Sequence, residues 1–266
     1  LQLGIGGRGL NPDRTSSFNT RQNGYDISAD ALGYPESYYT PPTEAIDRIE
    51  IVRGAASLQY GTQFGGLLNF VFKKGPGDTP FEWTTRLSGG AFHFLNIFNS
   101  VGGTLAKGNL NYYAFYQRKQ GNGWRPNSNF EVNTLYGSVA AQLSPKWKLT
   151  TELTHMDYLA RQPGGLTDTY FEDNPRQSVR DRNWFAVDWN LFALILDYEL
   201  SKNTRVNVRN YMLRASRLSL GNMERINVAD FTKNRTLIKG RFDNIASEAR
   251  LLHTFRFRGH SHTGIL

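Results

Sequence analysis

Apolar and polar positions alternate along most of this chain. Between 133 and 143, Leu135, Val139, Ala141 and Leu143 share one parity, while Thr134, Tyr136, Ser138 and Gln142 take the other. In 147–154, Trp147, Leu149, Thr151 and Leu153 oppose Lys148, Thr150, Glu152 and Thr154. The segments 192–200, 204–212 and 248–258 repeat the arrangement, the last with Ala249, Leu251, Phe255 and Phe257 against Glu248, Arg250, Arg256 and Arg258. A period of two is the signature of a strand with one face in an apolar environment. Segments 81–92, 96–106 and 110–118 fit it less cleanly. Residues 1 to about 75 lack the rhythm: they are rich in Gly, Pro and Asn, with short β-like runs at 48–52 and 67–72. The change of character falls at Gly75-Pro76-Gly77-Asp78.

The connections between segments alternate in length. Tight turns are expected at 107–109, 144–146 and 201–203, and long polar loops at 119–131, 159–183 and 218–243, after a short link at 93–95. Short turns at one end and long loops at the other are the habit of outer-membrane barrels. Aromatics at the ends of the apolar faces (Phe81, Trp83, Trp147, Tyr198, Phe257) fit an interfacial girdle. A large soluble β-sandwich shares the alternation and remains open at this point.

Composition narrows the classes. The 266 residues have a mean hydropathy of −0.50 and no long apolar run; 191–196 is far short of a spanning helix. With no Cys there is no disulfide scaffold, thiolate metal site or cysteine nucleophile. The net charge of +8 admits an anionic ligand or surface, but no block of five Lys/Arg and no paired Cys/His signature points to nucleic acid. The chain does not start with Met and shows no signal peptide, so its N-terminus is expected to lie further upstream. About eight strands fit, with a ninth beginning at the end, and 263–266 lacks terminal-strand character. An eight-stranded barrel has no room for the first 75 residues inside it, and an open edge in lipid leaves backbone groups unpaired. An incomplete chain is the expectation.

The first region carries a long ordered motif. Glu44-Ala45-Ile46-Asp47-Arg48-Ile49-Glu50-Ile51-Val52-Arg53-Gly54 leads through Tyr60-Gly61-Thr62-Gln63-Phe64-Gly65-Gly66 to Leu67-Leu68-Asn69-Phe70, with Arg8-Gly9-Leu10 and Asn23-Gly24 upstream. This resembles the plug of TonB-dependent outer-membrane receptors. The resemblance implies a mainly β fold: a plug domain over 1–77, shortened at its N-terminus, then 78–266 as the first eight to nine strands of a 22-stranded antiparallel transmembrane β-barrel. It implies the outer membrane of a Gram-negative bacterium, lipid around the barrel, and energising by a TonB–ExbB–ExbD complex. That complex grips a TonB box, and none is expected within these residues. It also implies that Arg8 and Arg53 lock plug to barrel, and that Gly54, Gly61, Gly65 and Gly66 allow close turns in a crowded lumen.

Within the family, 6–12 and 60–66 are most similar to ferric-citrate receptors. Active import of an anionic ferric chelate, iron(III) dicitrate, is therefore expected. Arg14 and Arg21 near the plug apex and Arg161, Arg180, Arg182, Arg217 and Arg235 in the loops are candidate receivers through charge-assisted hydrogen bonds, with Gln63 a neutral contact. Iron enters only within the chelate; no bound cofactor, metal site or catalytic residue is expected. A siderophore, cobalamin or glycan is the alternative cargo, and a soluble carbohydrate-binding or hydrolytic β-protein the alternative class. Gly4-Ile5-Gly6-Gly7-Arg8-Gly9 matches a dinucleotide fingerprint formally, but Leu10-Asn11-Pro12-Asp13 starts a turn where a helix is needed. His260-Ser261-His262 has no carboxylate at ligand spacing and is expected at a strand-end turn.

Overall fold

A computed structural model describes residues 18–29, 37–53, 65–230 and 232–265. Four short strands form a first sheet: β1 (Phe18–Gln22), β2 (Tyr25–Asp26), β3 (Ile46–Val52) and β4 (Gly66–Phe72), in the order β2-β1-β4-β3. β1 and β4 run parallel; the other pairs are antiparallel. The β1–β2 hairpin closes through Asn23-Gly24, with φ of 46° and 89°. Two successive left-handed residues match the right-handed twist of paired strands, which is why Asn-Gly serves here. Gly66 starts β4 at φ 113°, where a Cβ would collide with the Val52 carbonyl oxygen. The candidate turn glycines Gly65 and Gly66 thus sit at the entry to β4; Gly54 and Gly61 lie outside the described residues.

Nine strands then form one antiparallel meander: β5 (Glu82–Gly90), β6 (Phe94–Leu105), β7 (Leu110–Gly121), β8 (Phe130–Ser144), β9 (Trp147–Arg161), β10 (Trp184–Ser201), β11 (Thr204–Gly221), β12 (Thr236–Phe257) and β13 (His260–Ile265). The tight turns fall at one end of the sheet. The longer connections 122–129, 162–183 and 222–235 gather at the other, where a short helix, α1 (Asp168–Asp173), is capped by the Thr167 side chain. These loops are shorter than the spans expected from sequence, and His260-Ser261-His262 lies in β13 rather than in a turn.

The strands outrun the alternating segments because the outer face changes character along them. In β10, Val187, Trp189, Leu191, Ala193 and Ile195 are buried toward the first sheet, while Phe192 faces outward, 39% exposed. Nearer the loops the outward positions turn polar, and they pair with one another. His155 bonds Asn190, Arg118 meets Glu131, and Arg214 meets Asp243 at 3.1 Å. Below this belt the outer face carries Leu87, Leu135, Val139, Leu153, Met212 and Ile245, all exposed. At the turn end, Trp147 stacks on Tyr198 with ring centroids 4.0 Å apart. One sheet with an exposed apolar band on one face is not the closed two-layer arrangement of a sandwich.

The core lies between the two sheets. Tyr25, Leu68, Phe70 and Phe72 from the first, with Ile27 and Tyr39 from the segments beside it, pack on Phe98, Phe115, Tyr136, Met156, Trp189 and Leu213 from the second. Phe72 meets Tyr136 edge-on at 4.7 Å and Phe115 at 5.9 Å. Removing its ring should cost about 3–5 kcal/mol. In the intact protein, Phe72→Ala is expected to lower the thermal midpoint followed by near-ultraviolet circular dichroism, and Phe72→Leu to restore most of it. An unchanged midpoint in Phe72→Ala would show that the aromatic cluster does not hold the sheets together.

Candidate functional site

The first sheet meets the second through a polar seam as well as an aromatic core. Alternation places Glu152 on the inner face of β9 and Glu248 on the inner face of β12. The Arg21 side chain, on β1 and 4% exposed, meets Glu248 two-pronged, with Nη1 and Nη2 donating at 2.9 and 2.7 Å. Its Nε donates to Asn19 Oδ1, and Nη1 also to the Gly24 carbonyl, each at 2.7 Å. Burial works against the Arg21 charge, but the hydrogen bond and attraction of Glu248 outweigh it and hold its pKa above the ordinary value. Tyr211 Oη and Arg250 Nη2 complete the shell of Glu248, each at 3.0 Å.

Glu152 is buried and is met by neutral donors from the hairpin. Asn23 Nδ2 donates to both of its oxygens at 2.9 and 3.0 Å, and the Tyr25 hydroxyl to Oε2 at 3.1 Å. Burial and the neighbouring Glu152 push the Tyr25 hydroxyl well above its usual pKa, so it stays protonated and able to donate. The left-handed turn at Asn23 aims that amide across the seam, while its Oδ1 accepts from the Phe72 amide at 2.9 Å. A third contact joins Glu44 to Asn96 at 2.6 Å and Gln117 at 3.2 Å.

At the loop end, arginines staple backbone. Arg180, buried, donates to the carbonyls of Val179, Val228 and Arg225 at 2.7, 3.1 and 2.8 Å, joining the two longest loops. Arg125 donates to the carbonyls of Gly164 and Gln177 at 2.7 and 2.6 Å. Arg235, its side chain 3% exposed, pairs with Asp230 at 2.7 Å. Arg182 is exposed and reaches the Lys233 carbonyl at 3.1 Å; Arg161 is exposed at the end of β9. Arg217 bonds the Tyr38 hydroxyl and lies over its ring, 5.6 Å from the centroid.

Of the candidate receivers, then, Arg180, Arg182 and Arg235 are drawn together in the loops, Arg217 sits on Tyr38, and Arg21 is already committed to Glu248. For Arg21 to receive a ligand, the Glu248 pair must first open. Arg53 is exposed after β3. Arg8, Arg14 and Gln63 lie outside the described residues. Sequence reading missed Glu152, Glu248, Asn23 and Arg125 as contact residues. The available signal was an acidic residue on the polar face of an alternating segment.

What these features define is a small sheet docked by buried polar pairs against the inner face of an antiparallel wall whose outer face carries an apolar band; among the described residues no group of His, Asp or Glu could hold a metal ion. Residues 3–67 match the family described as the TonB-dependent receptor plug domain. The small sheet falls largely within that plug match, and the nine-stranded wall lies beyond it in the chain. Over 86 residues the chain is 35% identical to the ferrienterobactin receptor of Escherichia coli K12, covering 29% of this chain and 11% of that protein. Over 139 residues it is 28% identical to the vitamin B12 transporter BtuB of Photobacterium profundum, covering 49% and 22%. Among solved structures, the unliganded ferric citrate transporter FecA superposes with a TM-score of 0.84 at 22% identity, over 98% of this chain and 40% of that one. The catecholate import receptor Fiu of Escherichia coli K12 superposes at 0.73 and 15% identity, over 98% and 42%. The chain thus spans about two-fifths of these structures and less of the curated relatives. The matches support the TonB-dependent receptor family.

Two outcomes follow from the geometry. Glu248→Gln removes the two-pronged carboxylate from the buried Arg21 guanidinium and should destabilise plug docking by about 3–5 kcal/mol; the double variant Arg21→Met, Glu248→Leu should recover most of it, both read by urea midpoints of the intact protein. Asp230 is the pH-sensitive partner in the loops. Burial alone would raise its pKa, but bonds from Asn222 and the Asp181 amide and the charge of Arg235 hold it below the ordinary value. Its contribution is therefore present above the unfolded aspartate pKa and fades as pH falls below about 4. Protease cleavage within 222–235 should rise there in the wild type, whereas Asp230→Asn should be cleaved readily at neutral pH too.

Proposed function

We propose that this chain is the plug and leading barrel wall of an outer-membrane active importer of a ferric chelate, with iron(III) dicitrate as its cargo. The polar seam carries this reading. The aromatic core supplies adhesion, and the placement of the plug is held by Arg21–Glu248, Asn23–Glu152 and Glu44–Asn96, directional bonds that can be separated a few at a time. Water replaces those bonds as they open, since the net value of each is only about 0.5–3 kcal/mol. Force from a TonB–ExbB–ExbD complex, applied through the plug, is the means proposed for opening them. The apolar outer band and aromatic turn-end pair support placement in the outer membrane of a Gram-negative bacterium.

For the cargo, support comes from the extent of the superposition on the ferric citrate transporter and from the arginines at the loop end. Iron is substrate here, and the chain's own part is binding and gating. The sequence likeness to a ferrienterobactin receptor and a vitamin B12 transporter makes a catecholate siderophore or a cobalamin the competing cargo. Cells expressing the full-length gene should take up radiolabelled ferric citrate, and lose that uptake on its deletion or on loss of TonB. Uptake of labelled ferrienterobactin or cobalamin instead would transfer the reading to that cargo. No gene-dependent uptake of any of them would overturn the importer assignment.

A further inference from the structure

A cavity of about 330 Å³ lies on the tight-turn side of the plug, between the plug sheet and the turn-end halves of β8–β11. Its lining is cationic: Lys and Arg outnumber carboxylates seven to three. Lys148, Arg209 and Arg250 also line a second space, of about 660 Å³, that extends to the tight turns at Lys146 and Arg205. With Asp197 and Asn207, which also line both, these three side chains stand where the inner cavity passes into the outer one.

Arg209 is the unusual member. It projects from the inner face of β11, and its guanidinium packs so closely on the Asn23-Gly24 turn that a Cβ on Gly24 would lie 3.1 Å from Nη2. Its Nε and Nη1 are buried and find no acceptor among the described residues. The charged neighbours of Arg209 are Arg250, Glu248, Asp197 and Arg21. Both carboxylates are engaged elsewhere: Glu248 by Arg21, Tyr211 and Arg250, and Asp197 by Asn207 Nδ2 at 2.6 Å. A guanidinium withdrawn from water without an acceptor is costly, and an anion that reaches it relieves that cost.

We propose that Arg209, with Lys148 and Arg250, forms an anion-binding station beyond the plug hairpin that takes a carboxylate of the cargo on its way toward the tight turns. The transit role rests on the importer reading; the existence of the anion site does not. Lying behind Asn23-Gly24, the station is shielded from the loop end while the Asn23–Glu152 contact is closed, and the hairpin's release would uncover it.

Crystals of the full-length protein soaked in selenate test the site directly. Wild type should show an anomalous peak within hydrogen-bond distance of Arg209, weaker in Arg209→Lys and lost in Arg209→Gln; no peak in wild type overturns the site. In cells, Arg209→Gln should leave half-saturation of surface ferric citrate binding unchanged and lower the uptake rate about tenfold, the equivalent of one charge-assisted bond. Arg209→Lys should recover part of the rate, with thermal midpoints of all three proteins matched as a check on folding. Wild-type uptake in Arg209→Gln, or a rate loss equal in Arg209→Lys and Arg209→Gln, overturns the transit role. If wild type imports no ferric citrate, the importer reading fails, and the selenate peak alone decides the site.

Discussion

The structure depends on satisfying polar groups that the plug buries against the wall. An aromatic cluster supplies adhesion there, but adhesion is non-directional and would accept many placements of a small sheet on a large one. Arg21 against Glu248, and Asn23 and Tyr25 against Glu152, admit few. Each carboxylate is surrounded by donors at hydrogen-bond distance, and a shift of the plug by one strand position would strand a charge in a poorly hydrated interface. That penalty fixes the register.

Charge is handled differently at the two ends of the wall. At the loop end Arg125 and Arg180 spend their donors on carbonyls, and the planar guanidinium with five N–H groups suits that task. Those bonds tie the loops to one another, and Asp230 sits among them, paired with Arg235. On the turn side, Arg209 finds no carbonyl partner among the described residues, and its charge faces a cavity. The seam between holds its charges in pairs, so the cationic lining stands out on the turn side.

The outer face sets the environment of the whole. Apolar outward positions persist for the length of a hydrocarbon layer, about nine residues of strand, as in 135–143 of β8 and 192–200 of β10. Beyond them the outward side chains turn into hydrogen-bonded polar pairs while the strands continue. The wall therefore stands above the apolar band at its loop end, and the loops spring from that raised rim.

Most of the architecture was legible in the chain itself, because outward-facing and inward-facing positions obey a local rule with a period of two. The alternating segments coincide with the apolar band, and the Asn23-Gly24 hairpin is written in two adjacent residues. Strand ends were misjudged where the outward face turns polar, since alternation vanishes there although hydrogen bonding does not. The clamp was beyond sequence: Arg21 and Glu248 stand 227 positions apart, and Glu152 reads as one more polar residue on a polar face. Only folding brought them together, because the partner of a buried charge is chosen by how the chain packs in space, whereas the face a side chain occupies is chosen by its immediate neighbours along the backbone.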